Sequence, residues 1–230
     1  LVNAGMVFGG NVTFAESLET FAKELEATQP HLFFAVPRIW TKFREKILET
    51  IPQKKLNILL KIPVINAIIK RKLKQKLGLS EAVFIASAAA PIASSLVKWY
   101  RKLDIKILQG YGMTEDCCVS HFNTHQNEKI GTVGKTLHGV KVKLSEEDEI
   151  CIKNNCLMLG YFKNTEETAK VFDEKGYLKT GDKGEFDHDG FLTITGRVKD
   201  QFKTDKGKYI SPSHIELLLS HNTDIEQICI

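Results

Sequence analysis

A layered α/β sheet followed by a β-rich subdomain is the fold the sequence predicts, and two observations predict it. Up to Leu108, short apolar runs at residues 32–36, 83–86 and 105–108 alternate with segments whose apolar residues recur at helical spacing. That alternation is the pattern of helices packed on a sheet. From Gly131 onward the chain changes to short strand-like runs at 140–144, 149–152, 183–187 and 191–195, punctuated by glycine. A chain of 230 residues, 43% hydrophobic, is long enough for one to two domains with a core.

The elements follow in order. Residues 3–12 are glycine-rich and read as strand or loop. Thr13 with Glu16 forms a capping box, predicting a helix with Phe14, Leu18, Phe21 and Leu25 on one face, stopped by Pro30. Residues 32–36 are expected as a fully buried strand, and Pro37 starts the next helix. Trp40 on that helix reads as core, or as the wall of an apolar channel. Residues 54–79 contain eight basic and no acidic residues, interleaved with isoleucine, leucine and valine. Such a stretch reads as a solvated helical insertion packed on its own domain, or as a contact for an anionic membrane surface. Pro63 predicts two helices rather than one. After the strand at 83–86, Ser87-Ala88-Ala89-Ala90-Pro91 makes a small-residue turn against which a flat ligand could lie. Ile92, Leu96, Trp99 and Leu103 predict a core-facing helix. Asn164 with Glu167 caps a later helix, and residues 183–195 predict a hairpin turning at His188-Asp189-Gly190.

The strand at 105–108 leads into Gln109-Gly110-Tyr111-Gly112-Met113-Thr114-Glu115, the stretch on which the functional reading turns. Gly110 and Gly112 would let the backbone approach a ligand or take positive φ. Tyr111 offers a face for stacking a base, Thr114 a donor to a phosphate oxygen, and Glu115 a hard ligand for Mg²⁺. A tight turn with a surface tyrosine fits these residues equally well. Two further motifs follow: Tyr177-Leu178-Lys179-Thr180-Gly181-Asp182, and Gly196-Arg197-Val198-Lys199-Asp200.

Together these motifs resemble the adenylate-forming (AMP-binding) enzymes. The segment Pro37-Arg38-Ile39-Trp40 resembles most the long-chain fatty acid–CoA ligases, and Gly160-Tyr161-Phe162-Lys163-Asn164 fits too. The resemblance implies the later part of a large AMP-binding domain at 1–196, then at 197–230 a hinge and the start of a small C-terminal domain. It implies ATP-dependent conversion of a fatty acid to acyl-adenylate and transfer to coenzyme A, with ATP/AMP and Mg²⁺ as cofactors. It places Ala89, Ala90, Pro91, Gly110, Tyr111, Gly112, Thr114, Asp182 and Arg197 around the nucleotide. Tyr111 would stack on adenine, Asp182 would accept the ribose hydroxyls, and Thr114, Glu115 and Arg197 would carry catalysis. Glu115 would hold the metal and Lys199 would be the hinge. Residues 206–212 would lie near the coenzyme A channel. Alanine stands at 88–90 where the family is richer in glycine. No Ser/Thr/Gly-rich phosphate loop ending in Pro-Lys occurs, and the family's C-terminal catalytic lysine has no counterpart. The expectation is therefore a chain inactive alone; the alternative is an inert nucleotide-binding module or truncated product acting by association.

Composition narrows the classes further. A net charge of +4 gives no argument for nucleic acid. Five cysteines without metal spacing or a CxxC pair point to thiols of a reducing compartment. No apolar run reaches the roughly 18 residues of a membrane span, so a cytoplasmic location is expected, with peripheral membrane contact through 54–79.

Overall fold

A computed structural model describes residues 9–17, 19–200, 202–203, 209–210 and 212–219. The chain divides into two compact units, one of Leu1–Phe34, Ile39–Ile85 and Leu103–Ile105, the other of Ala35–Arg38, Ala86–Lys102 and Lys106–Ile230.

The first unit is built mainly of helices. Helix α1 (Phe21–Thr28) starts about two turns later than the Thr13–Glu16 box predicts. Reciprocal side-chain bonds form further on: the Ser17 N–H donates to Thr20 Oγ1 at 3.1 Å, and the Thr20 N–H donates to Ser17 Oγ at 3.2 Å. Phe14 is left exposed and Leu18 lies outside the described residues. Strand β1 (Leu32–Ala35) alternates exposed and buried, so it is covered on one face, not both as expected. Its buried Phe33 meets Trp40 edge-on at 5.4 Å and stacks with Phe43 at 6.4 Å; Trp40 and Phe43 belong to α2 (Pro37–Thr50). Trp40 has no exposed surface and is core. Pro63 separates α3 (Gln53–Leu59) from α4 (Pro63–Lys76), as predicted. Gln29 fastens the far end of α4, donating through Nε2 to the Gln75 carbonyl at 2.8 Å and accepting the Ser80 N–H at 2.9 Å. Strand β2 (Phe84–Ser87) begins here, one residue later than the apolar run at 83–86, and Val83 is exposed.

The second unit holds a mixed sheet and an antiparallel sheet that share hydrogen bonds. From β2 the chain enters α5 (Ser94–Arg101), whose Leu96, Val97, Trp99 and Tyr100 are buried, and returns as β3 (Leu108–Tyr111), parallel to β2. Strands β4 (His121–Phe122) and β5 (Lys135–Thr136) extend the sheet antiparallel. The second sheet has the order β6 (Lys141–Leu144), β7 (Glu149–Lys153), β8 (Leu178–Phe186), β9 (Leu192–Arg197). Helix α6 (Thr165–Val171) lies between β7 and β8 in sequence and is capped as expected, Asn164 Oδ1 accepting the Glu167 N–H at 3.1 Å. Val133 N–H donates to the Leu192 carbonyl at 2.8 Å, and Leu192 N–H to that of Gly134 at 3.0 Å, locking the first sheet onto β9. Ile150, Ile152 and Leu192 form the fully buried core of the second sheet, and Tyr111, Val133 and Ile194 pack on it. Burying each such side chain contributes about 1.5–3 kcal/mol. Strands β10 (Phe202–Lys203) and β11 (Tyr209–Ile210) pair, and α7 (Pro212–Leu219) follows. The expected boundary at 196/197 falls inside β9. The coenzyme A expectation at 206–212 lies largely outside the described residues.

Candidate functional site

The site is set by strand register. Sequence reasoning placed Gly110 and Tyr111 in a loop after a strand at 105–108; both instead lie in β3, opposite Phe122 and His121 of β4. A two-residue partner strand carries no periodicity of its own, which is why the pairing was invisible in the sequence. Neither Gly110 nor Gly112 takes positive φ. Their smallness serves packing: a Cβ at Gly110 would strike the Phe122 ring, and one at Gly112 would lie 2.6 Å from Cys118 Cα.

Asp182 belongs to β8 and sits directly across from Arg197 of β9. Cross-strand neighbours of opposite charge meet, and Arg197 Nε donates to Asp182 Oδ1 at 3.0 Å. The other carboxylate oxygen accepts the Tyr111 hydroxyl at 2.7 Å. A phenol, a carboxylate and a guanidinium from three strands thus converge. Burial first, then the negative charge of Asp182, pushes the Tyr111 phenol pKa upward, so it stays a donor. The Arg197 guanidinium is raised by its hydrogen bond to Asp182, though its side chain remains largely exposed.

Under Tyr111 lies His121, 1% exposed, its ring centroid 6.1 Å from that of the tyrosine. Its nitrogens pair with Ser120 Oγ at 2.7 Å and Thr136 Oγ1 at 3.1 Å. Burial lowers its pKa to about 4, so the ring is neutral at pH 7.

Tyr111, Asp182 and Arg197 line a cavity of about 470 Å³, within the range of small-molecule sites. Ala89, Ala90, Pro91, Gly110, Tyr111, Gly112, Asp182 and Arg197, all expected at the site, line it. Ala89 stands at φ 72°, a left-handed conformation that suits glycine. Ser87 belongs to the small-residue turn expected to face a flat ligand, and it lines the cavity too. Sequence reasoning missed Gln109, Met113, Gly131, Val133 and Ile194 as lining residues. Gln109 and Met113 were signalled only as members of the stretch around Tyr111. Gly131 and Val133 were read as punctuation between strands.

Thr114, Glu115 and Lys199 are not among the lining residues. Thr114 is exposed and opens a single 3₁₀ turn (Thr114–Asp116) just beyond Met113. Glu115 is tethered to the loop before α6: Tyr161 Oη donates to its Oε1 at 3.0 Å, and its carbonyl accepts the Met158 N–H at 2.7 Å. Asp116 is fully buried, with Oδ1 accepting the Met113 N–H at 2.8 Å; burial pushes its pKa upward, against that hydrogen bond. Lys199 is exposed in the turn after β9.

The family described as "AMP-binding enzyme" matches residues 1–162. Among curated relatives, a putative fatty-acid–CoA ligase of Mycobacterium tuberculosis, fadD11, is 30% identical over 239 residues, covering 91% of this chain and 42% of its own length. The human long-chain-fatty-acid–CoA ligase ACSBG1 is 30% identical over 247 residues, covering 92% and 34% respectively. The chain therefore spans well under half of these relatives. Among solved structures, the anthranilate CoA ligase AuaEII in complex with anthranoyl-AMP has the same fold, with a TM-score of 0.73 over 95% of this chain and 40% of that one, at 20% identity. A fatty acyl CoA synthetase of Mycobacterium tuberculosis is 28% identical, with a TM-score of 0.51 over 65% of this chain and 32% of its own.

Proposed function

The chain belongs to the AMP-binding enzyme family, and from that premise we propose that it binds the adenylate as part of a long-chain fatty acid–coenzyme A ligase. In the proposed reaction a fatty carboxylate oxygen attacks the α-phosphorus of ATP, and the bond to pyrophosphate breaks. The thiol of coenzyme A then attacks the acyl carbon, forming the thioester and releasing AMP. The first step brings an anion to a polyanion, so catalysis rests on positioning and on positive charge.

The observation that carries this reading is the bonding of Asp182 to both Tyr111 and Arg197 at the cavity. Each carboxylate oxygen keeps a second acceptor site, so Asp182 can take the two ribose hydroxyls. Its tie to Tyr111 fixes the phenol ring as a wall for adenine. Arg197 uses Nε on Asp182, which leaves its terminal nitrogens for phosphate or ribose oxygens. Thr114, one residue beyond the lining Met113, supplies a hydroxyl to the α-phosphate. Lys199, in the turn after β9, is the proposed hinge.

Among the described residues no group of three or more His, Cys, Asp or Glu could cage a metal. A lone carboxylate suits Mg²⁺ that arrives with ATP and takes its remaining ligands from phosphate and water. Glu115 fits this, since Tyr161 occupies only Oε1. When bound, the ion would neutralise phosphate oxygens.

Calorimetric titration with AMP and with a non-hydrolysable acyl-adenylate analogue tests the proposal. Binding is expected, weakened about tenfold or more by Asp182→Ala, which removes a charged hydrogen-bond acceptor. Undiminished binding by a Tyr111→Ala, Asp182→Ala double variant would remove both assignments.

A further inference from the structure

The first unit carries a second surface that the nucleotide cavity does not explain. Residues 54–79 hold eight basic and no acidic residues; with +4 on the whole chain, the rest carries −4 against +8 here. Charge is therefore segregated onto the α3–α4 hairpin. Lys70 pairs with Asp104 at 3.1 Å. Lys54, Lys55, Lys61, Arg71, Lys72, Lys74 and Lys76 make no ion pair among the described residues.

Helix α4 has two different faces. Ile65, Ile69 and Leu73, spaced four apart, are half-buried and lead to buried Leu77. A neighbouring stripe, about 100° round the helix, presents Val64 at 71% exposure and Ile68 at 49%, followed by exposed Arg71 and Lys72. Ile58 at 62% and Ile62 at 42% continue the apolar exposure across the hairpin, with exposed Lys61 between them. A solvated insertion would show polar residues on this face. Isoleucine and valine ringed by unpaired cations suit a surface that is negatively charged outside and apolar beneath, which is the chemistry of an anionic lipid leaflet. No helix of the described residues is long and apolar enough to cross a membrane. We propose that the α3–α4 hairpin is a docking surface for anionic membranes, lying in the interface with Ile58, Ile62, Val64 and Ile68 toward the acyl chains and Lys61, Arg71 and Lys72 at the headgroups.

The test is flotation of the whole chain with vesicles of phosphatidylcholine, alone or mixed with phosphatidylglycerol, at low and high salt. Binding is expected on the mixed vesicles, falling about fivefold for each exposed cation removed. The Lys61→Gln, Arg71→Gln, Lys72→Gln variant should lose about a hundredfold at low salt. Val64→Ser with Ile68→Ser should bind at least tenfold more weakly and dissociate more readily in high salt. All these side chains are exposed, and unchanged far-ultraviolet circular dichroism will confirm folding. Equal binding to neutral vesicles would overturn the proposal, as would wild-type binding by both variants. So would binding to heparin without binding to vesicles, or a dimer on gel filtration that Val64→Ser dissolves. The outcome is independent of the nucleotide reading, because AMP affinity is measured on the same samples.

Discussion

His121 gives a prediction whose size follows from its surroundings. The imidazole is buried under Tyr111 with Ser120 and Thr136 as partners, and burial lowers its pKa from 6.5 to about 4. The folded state therefore resists protonation while the unfolded chain accepts it. His121 contributes its full stability above pH 6.5 and loses it as pH falls toward 4. Each pH unit in that window costs about 1.4 kcal/mol. Half-protonation of the folded form at pH 4 brings the total to about 3 kcal/mol, a large part of the roughly 5–15 kcal/mol that holds a domain together. Asp116 acts in the opposite sense, since burial raises its pKa and acid relieves it. Asp173 and Asp187, lowered to about 2 chiefly by hydrogen bonds from Lys143 and Lys129, lose their contribution below this window. The clean readout is thus a difference. Urea unfolding of the wild type and of His121→Gln at pH 7 and pH 4.5 should show the wild type losing about 2–3 kcal/mol more than the variant. Parallel pH profiles would refute the reasoning, because they would mean the buried ring is protonated as readily as a free one.

Two further outcomes follow from the cavity walls. Ala89 holds φ 72°, at a cost of about 1–2 kcal/mol for an L-residue. Ala89→Gly should raise stability by about 0.5–1 kcal/mol after glycine's own entropy is counted, read as a shift in urea midpoint at constant slope. A Cβ at Gly112 would meet the Cys118 backbone at 2.6 Å, which cannot swing aside as a ring can. Gly112→Ala should cost about 1–3 kcal/mol, and more than Gly110→Ala, where only the Phe122 ring must move; thermal unfolding of both variants checks the order.

Features written locally were legible in the sequence. The break at Pro63, the Asn164 cap and the hairpin around Gly190 each depend on a few adjacent residues, and the structure has all three. The start of α1 shows the limit of such rules: Thr13–Glu16 spells a capping box, yet the reciprocal side-chain bonds form four residues on, between Ser17 and Thr20, a pair the pattern does not name. A run of apolar residues at 32–36 could not tell which face would be covered. The site itself was legible as a set of residue types, but its geometry was not. Asp182 meets Arg197 because of strand register, and Glu115 meets Tyr161 across 46 positions. The exposed stripe of α4 needed the structure as well, because sequence alone leaves open which of two apolar faces packs inward.

Photolabelling with an azido derivative of AMP, followed by peptide mapping, tests whether the cavity holds the nucleotide. Label is expected on peptides from the cavity wall, residues 87–94, 109–113, 131–133, 182 or 194–197, prevented by excess AMP and lost in Asp182→Ala. Protectable labelling confined to other segments, or unchanged by that substitution, would contradict it.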